Sequence, residues 1–117
     1  MQAPGTLDLD LYQGATFSYV LTWRTGSPSA AVNLTSYTAR MQARTSPDAS
    51  SPVLSLTTGN GITLGGSAGT ITLSRSAAQT AALPAGRYLY DLELESAGGV
   101  VTRLVEGVLT IWPEVTK

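Results

Sequence analysis

Hydrophobic and polar residues alternate most regularly in the last third of the chain, between residues 87 and 111. The apolar positions of the first half of this segment are Tyr88, Tyr90, Leu92 and Leu94. A glycine-containing turn follows at residues 97–99, and residues 100–111 are rich in Val, Leu, Ile and Thr. Period-two alternation on both sides of a Gly-Gly pair is typical of a β-hairpin with one buried face. We therefore predict a long antiparallel hairpin here.

Shorter alternating segments precede the hairpin and are separated by Gly-, Pro- and Ser-containing turns. They cover residues 6–12, 16–24, 37–44, 53–57, 62–64 and 70–74. One segment departs from this pattern: Ser76 and Gln79 have the spacing of a capping box and open an alanine-rich stretch that stops at Pro84. Seven or eight short strands with one helical turn, over residues 76–82, predict an all-β, antiparallel β-sandwich.

The core of this sandwich is predicted from residues that share one face of their strands. The expected core residues are Phe17, Tyr19, Leu21, Tyr37, Met41, Tyr88, Tyr90, Leu92 and Leu94. Trp23 continues the second strand's apolar face, so a core position is also the simpler interpretation for it.

Composition limits the classes of function. The chain has 117 residues, no histidine, no cysteine and a net charge of −1, and we expect one domain, residues 1–117, with short N- and C-terminal arms. Its arginines are scattered, so no basic stripe for nucleic acid is expected. No uninterrupted apolar segment is long enough to predict a membrane span. The first residues lack the features of a secretion signal. Only 13% of residues are charged, which suits burial against neighbouring subunits.

Four segments together resemble an Ig-like domain of tailed phages. Residues 11–17 read LYQGATF, residues 32–44 read VNLTSYTARMQAR, residues 86–92 read GRYLYDL, and residues 106–111 read EGVLTI. In the phage domain a strand enters a YQG-T-F turn, a later strand reads DLTGYT-R-Q-R, and a G-x-Y-x-Y-D hairpin closes the fold. Asn33 and Ser36 stand where that pattern has Asp and Gly.

The resemblance implies an Ig-like fold and a non-catalytic structural role. The phage domain forms the N-terminal part of upper-baseplate proteins and recurs in small tail and head accessory proteins. We therefore expect an assembly or docking module of a tail, baseplate or other particle component, made in the bacterial host cytoplasm and located in the virion. Its expected partners are other virion proteins and further copies of itself, without cofactor, nucleic acid or membrane.

Catalysis by a Ser-His or Cys-His pair is excluded because the chain contains neither histidine nor cysteine. Carboxylates remain as candidates for a Ca²⁺ site or a glycosidase-type acid pair. The residues concerned are Asp8, Asp10, Asp91, Glu93 and Glu95. Because each lies opposite a hydrophobic row, we interpret them as solvated positions held by cross-strand arginines, with Arg40, Arg44 and Arg103 as candidates. We predict that the protein is not an enzyme.

The candidate interface lies at the end of the chain. Trp112 ends the last predicted strand, and Pro113 must stop its pairing because proline cannot donate to a ladder. The candidate residues are Trp112, Pro113, Glu114, Val115, Thr116 and Lys117. The N-terminal arm, residues 1–5, is expected to reach outward in the same way. The alternative functions are a surface-displayed carbohydrate- or protein-binding module that uses Trp112 or the loop at residues 45–52, and a capsid decoration protein.

Overall fold

The computed structural model describes residues 4–26 and 28–116, and strands dominate this part of the chain. The strands are β1 Gly5–Thr6, β2 Leu9–Tyr12, β3 Phe17–Thr22, β4 Arg24–Thr25, β5 Ala30–Ala31, β6 Thr38–Arg44, β7 Leu54–Thr58, β8 Gly61–Leu64, β9 Thr70–Arg75, β10 Gly86–Glu95 and β11 Val101–Trp112. One α-helix, α1 Ala77–Ala81, and a 3-10 turn, Gly66–Ala68, complete the described elements. The all-β class predicted from the sequence is confirmed.

Nine strands form one curled sheet in the order β1-β11-β10-β6-β7-β8-β9-β3, with β2 also paired to β11. The remaining two, β4 and β5, pair with each other. Most pairs are antiparallel, but β1 and β2 run parallel to β11, and β7 runs parallel to β8. The prediction of antiparallel pairing is therefore wrong for these three pairs, because alternation indicates which face is buried and not which way the neighbouring strand runs.

The predicted hairpin is confirmed as β10 and β11. Gly86 faces Ile111 at one end and Glu95 faces Val101 at the other, with a register shift after Leu92. At the turn, the Gly99 amide donates to the Ser96 carbonyl over 2.9 Å, and Gly99 has a φ of 87°. That conformation favours glycine, which explains the Gly-Gly signal.

Helix α1 joins β9 to β10, as the capping signal predicts. The Ser76 hydroxyl accepts from the Gln79 amide over 3.2 Å, and the Gln79 side chain accepts from the Ser76 amide over 2.9 Å. Beyond the helix, the Tyr88 hydroxyl donates to the Pro84 carbonyl over 2.8 Å. The start of β10 is thereby tied to the connection that precedes it.

The hydrophobic core lies inside the curl of the sheet. Its buried members are Leu9, Leu11, Phe17, Leu34, Ala39, Met41, Ala43, Leu54, Leu56, Ile62, Ile71, Leu73, Tyr88, Tyr90, Leu92, Leu94, Leu109 and Ile111. Leu21 and Tyr37 are half-buried against this core. The prediction for Tyr19 is wrong: its side chain is 37% exposed, because β3 is the last strand of the sheet and no described strand lies beyond it.

Two predicted strands are interrupted. Residues 6–12 divide into β1 and β2 because Leu7 and Asp8 cross over Gly107, where the Leu7 amide donates to the Glu106 carbonyl over 2.9 Å. Residues 16–24 divide into β3 and β4 at Trp23. The Trp23 amide still donates to the carbonyl of Gly69, immediately before β9, but the Trp23 carbonyl accepts from the Val32 amide.

Candidate functional site

An exposed aromatic pair ends the two parallel strands β2 and β11. Tyr12 and Trp112 are register partners, and their ring centroids lie 6.4 Å apart with planes inclined by 16°. The Trp112 indole nitrogen donates to the Asp10 carboxylate over 2.9 Å. Both rings remain accessible, Tyr12 at 56% and Trp112 at 46%. Trp112 is therefore an accessible ring at the end of β11, and its part in an interface stays a prediction.

The C-terminal tail divides into an anchored and a projecting part. Strand β11 ends at Trp112, immediately before Pro113, as the missing amide of proline predicts. The Glu114 amide then donates to the Gln13 side-chain oxygen over 3.0 Å. Val115 is 96% exposed and Thr116 is also exposed. The predicted contact residue Lys117 lies outside the described residues.

Gln13, Gly14 and Ala15 form a corner between β2 and β3 that holds several elements together; we call it the Gln13–Ala15 corner. The Gln13 amide donates to the Trp112 carbonyl over 3.0 Å, and its side-chain nitrogen donates to the Leu83 carbonyl over 2.7 Å. One side chain thus joins the C-terminal tail to the segment after α1.

The Thr80 side chain of α1 binds the backbone of this corner. Its side chain is fully buried, accepts from the Gly14 amide over 3.1 Å and donates to the Ala15 carbonyl over 2.9 Å. Gly14 has a φ of 79°, and a side chain there would overlap the Glu114 carboxylate. The positive φ therefore favours glycine at the corner, whereas the Glu114 carboxylate is the end of a flexible side chain and can move aside for a Cβ atom.

The N-terminal arm crosses β11 at Gly107, the glycine within that strand. Gly107 has no side chain in the path of the Leu7 carbonyl, which accepts a short hydrogen bond from the Tyr90 hydroxyl. Burial raises the pKa of the Tyr90 hydroxyl above its ordinary value, and the nearby Asp8 charge adds to this. Residues 1–3 of the predicted arm lie outside the described residues.

The outer face of β6, β10 and β11 carries paired charges. Arg40 contacts Glu93 at 2.8 Å and Glu95 at 3.0 Å, and these hydrogen bonds raise the pKa of its guanidinium. Arg103 lies 3.4 Å from Asp91. Cross-strand arginine partners are thus confirmed for Arg40 and Arg103.

The third candidate, Arg44, instead donates to the Ala49 carbonyl over 2.7 Å and to Gln42 over 2.8 Å. Asp91 is only partly neutralised by its ion pair. Burial raises the pKa of its carboxyl group and the Glu93 charge adds to the rise, while Arg103 opposes it.

An open groove of about 830 Å³ runs over this charged face, and its lining includes acidic and basic side chains together. Asp8, immediately before β2, accepts from the Val108 amide over 3.0 Å, and Asp10 in β2 accepts from the Trp112 indole nitrogen over 2.9 Å. Within residues 4–26 and 28–116, no three carboxylates gather in a way that could hold a metal ion.

The other candidate features lie elsewhere. Trp23 is half-buried and packs edge-on against Tyr37 at 6.0 Å, which confirms its assignment to the core. The loop at residues 45–52 borders the charged groove at Pro47. The part of the chain that the structure describes has no helix that is both long and apolar enough to cross a bilayer.

No protein-family model matches the chain, and no curated protein is detectably similar to it.

Proposed function

We propose that the chain is a non-catalytic structural protein of a tailed-phage virion, where it acts as an assembly or docking module of a tail, baseplate or other particle component. The observation that carries this proposal is the conformation of the two positions at which the sequence departs from the phage pattern. Asn33 and Ser36 replace Asp and Gly there, and each retains the local geometry that the pattern residue would supply.

At Asn33, the side-chain oxygen accepts from the Thr35 amide over 3.0 Å and from the Thr35 hydroxyl over 2.7 Å. An aspartate carboxylate makes the same turn equally well. Ser36 has a φ of 69°, the only positive value among the described residues other than glycine. Glycine adopts that conformation at least cost. Ser36 therefore has the backbone conformation that the glycine of the phage pattern would favour.

The Gln13–Ala15 corner supports the same resemblance. Its first two residues belong to the YQG segment of the phage pattern, residues 12–14. Each of the three corner residues has a contact distant in sequence: Gln13 with Leu83, and Gly14 and Ala15 with Thr80. These contacts hold the turn between β2 and β3 against α1 and the segment after it, which is a structural role.

We further propose that the fold is an Ig-like sandwich. One layer consists of β11, β10, β6 and β7 and the other of β8, β9 and β3, and every pair within a layer is antiparallel. The parallel pairs occur where the first strands join β11 and where β7 passes to β8. Tyr88 also has the position of the tyrosine corner of Ig domains, near the start of a strand and bonded to the backbone upstream.

The terminal segments are the proposed docking elements for other virion proteins. Val115 and Thr116 project beyond the last strand, and both are β-formers suited to adding onto the edge of a neighbour's sheet. The low content of charged residues, 13%, is compatible with burial of the surface inside a particle.

Deletion of residues 113–117 tests this role. We expect a folded, soluble protein, because the deletion removes one described hydrogen bond, from the Glu114 amide to the Gln13 side-chain oxygen, worth about 1 kcal/mol. Incorporation into particles, measured by immunolabelling and by mass spectrometry of purified virions, should be lost.

A shorter deletion, of residues 115–117, is the matched control because it retains the Glu114 contact. If the projecting residues dock, this variant also fails to incorporate. Normal incorporation of both variants would contradict terminal docking, and absence of the full-length chain from purified particles would contradict the virion role itself.

A carbohydrate-binding module is the second candidate, favoured by the aromatic pair. Tyr12 and Trp112 are exposed and stack with nearly parallel ring planes, and the Asp10 carboxylate accepts a hydrogen bond from the indole. Flat aromatic surfaces with a polar neighbour suit amphipathic ligands. A glycan array with the wild type and Trp112→Ala tests this: binding that the substitution abolishes would favour a surface-displayed module, and no binding would exclude it.

A further inference from the structure

Strand β3 is the outermost strand of the sheet on the side opposite β1, and no described residue pairs with its outer side. The Trp23 amide donates to Gly69 of the β9 side. Hydrogen-bonded positions alternate along an antiparallel ladder, so Phe17, Tyr19 and Leu21 also bond toward β9. The amides and carbonyls of Ser18, Val20 and Thr22 therefore point away from the sheet.

This outer edge has none of the features that usually prevent pairing with another chain. Natural edge strands are shortened, bulged, or carry lysine, proline or an inward charge. β3 is six residues long and pairs with β9 without a register shift. No residue from Ala15 to Thr22 is charged or is a proline. Val20 is 57% exposed in its centre.

We propose that β3 pairs antiparallel with β3 of a second copy of this chain, about a two-fold axis at Val20. In this register Val20 faces Val20 of the second copy, and Ser18 faces Thr22 in both directions. Each facing pair exchanges two backbone hydrogen bonds. The inference rests on the proposed assembly role and names the surface through which copies associate.

The side chains favour a second copy over an unrelated partner. A two-fold axis brings identical residues together, so any charge near the axis would face itself; β3 has none. Two valines and the Ser-Thr pairs are favourable cross-strand neighbours. The β2 edge lacks this property, because Asp10 lies in the strand and Asp8 immediately before it.

The geometry also limits the size of the assembly. A two-fold contact uses the same surface on both copies, so pairing through β3 closes at a dimer and leaves no second β3 edge for growth. The termini of both copies remain available for docking onto other proteins.

The absence of native cysteine makes a cross-linking test direct. Residues that face each other in a hydrogen-bonded pair have Cα atoms about 5.5 Å apart, within the range of a disulfide. Val20→Cys should therefore form a disulfide-linked dimer under mild oxidation. Val101→Cys is the matched control, because Val101 is also an exposed strand valine, at 48%. We expect cross-linking at residue 20 to be faster by about tenfold or more, since pairing raises the effective thiol concentration.

Sedimentation velocity of the purified chain, between about 10 µM and about 1 mM, tests the contact without a cross-link; an edge contact of this size is expected to be weak. The wild type should dimerise, Val20→Lys should remain monomeric because two lysines would meet at the axis, and Val101→Lys should still dimerise. A monomeric wild type would overturn the proposal. A dimer that Val20→Lys leaves intact, or equal cross-linking at residues 20 and 101, would overturn it as well.

These measurements need no particle, so they are separate from the test of virion incorporation. A chain that dimerises through β3 but is absent from particles would contradict the proposed function and retain the dimer. If Val20→Lys lowered the melting temperature strongly, the cross-linking comparison would decide the question on its own.

Discussion

Gly107 is the position at which a single methyl group should have the largest structural effect on the N-terminal arm. A Cβ atom at this position would overlap the backbone carbonyl of Leu7 and approach the Asp8 carboxylate to 2.9 Å. Backbone cannot move aside as the end of a flexible side chain can. Gly107→Ala should therefore displace Leu7 and Asp8 from β11, while Gly5 and Thr6 keep their pairing with it.

The cost follows from the hydrogen bonds that hold the arm. Displacement breaks the bond from Tyr90 to the Leu7 carbonyl, the bond from the Leu7 amide to Glu106, and the bond from the Val108 amide to Asp8. At about 0.5–1.5 kcal/mol each, the loss is about 2–4 kcal/mol. Alanine in place of glycine in a strand returns about 0.5–1 kcal/mol. The net free energy of unfolding should fall by about 1–3 kcal/mol.

For a domain of this length, about 1 kcal/mol corresponds to about 4 °C in melting temperature, so Gly107→Ala should melt about 4–12 °C below the wild type. Hydrogen exchange should locate the change at the Leu7 and Val108 amides. Gly98→Ala is the control, because a Cβ there meets only the Ser96 hydroxyl at 3.9 Å. If Gly107→Ala melted at or above the wild-type temperature, the close passage of the arm over Gly107 would be refuted.

Three further expectations concern the core, the turn and the charged face. Leu92→Ala should lower the free energy of unfolding by about 2–5 kcal/mol, while Leu89→Ala, on the exposed face of the same strand, should change it by about 0.5 kcal/mol or less; equal denaturation midpoints would show that the wrong face was chosen. Ser36→Gly should stabilise the protein by up to about 1 kcal/mol by relieving the positive φ, and Ser36→Ala should not; thermal melts in which both variants match the wild type would argue against strain at this residue. The pKa of Asp91, followed by NMR, should lie above its ordinary value; because the folded-state pKa is the higher one, its favourable contribution is present at low pH and is lost as pH rises above about 4. Asp91→Asn should remove that part of the pH dependence of stability, and an unchanged stability profile would contradict it.

The sequence predicts those elements that are determined by interactions between residues close together in the chain. The Gly-Gly turn, the alternation of β10 and the capping box of α1 each act within about ten residues, and each is present where the sequence predicts it. Pro113 ends the last strand because its missing amide is a property of one residue. These features depend little on which strands lie next to one another.

Features that depend on neighbouring strands were not predictable in the same way. Tyr19 has the phase of a core residue, but its exposure follows from the position of β3 at the end of the sheet. The parallel direction of β2 against β11 depends on the pairing of segments far apart in sequence, such as Leu9 with Leu109. Period-two alternation is the same in an edge strand and a central strand, and in parallel and antiparallel pairs.

The candidate site was predicted in part. The position of Trp112 at the end of β11 follows from its own strand and from Pro113. The role of Gln13 was missed, because its two side-chain partners, Leu83 and Glu114, are 70 and 101 residues away. The only sequence signal for it was its place in the YQG segment.

The parallel pairing of β2 with β11 has a mechanical consequence. Leu9 lies against Leu109 and Tyr12 against Trp112, so the chain enters this pair at one end and leaves it at the other. Tension between the two ends of the chain would slide the strands along each other and load their hydrogen bonds simultaneously, instead of opening them one after another. The force at which the domain unfolds then depends on how fast the β2–β11 pair separates under load. These two strands bear the tension before it reaches the core.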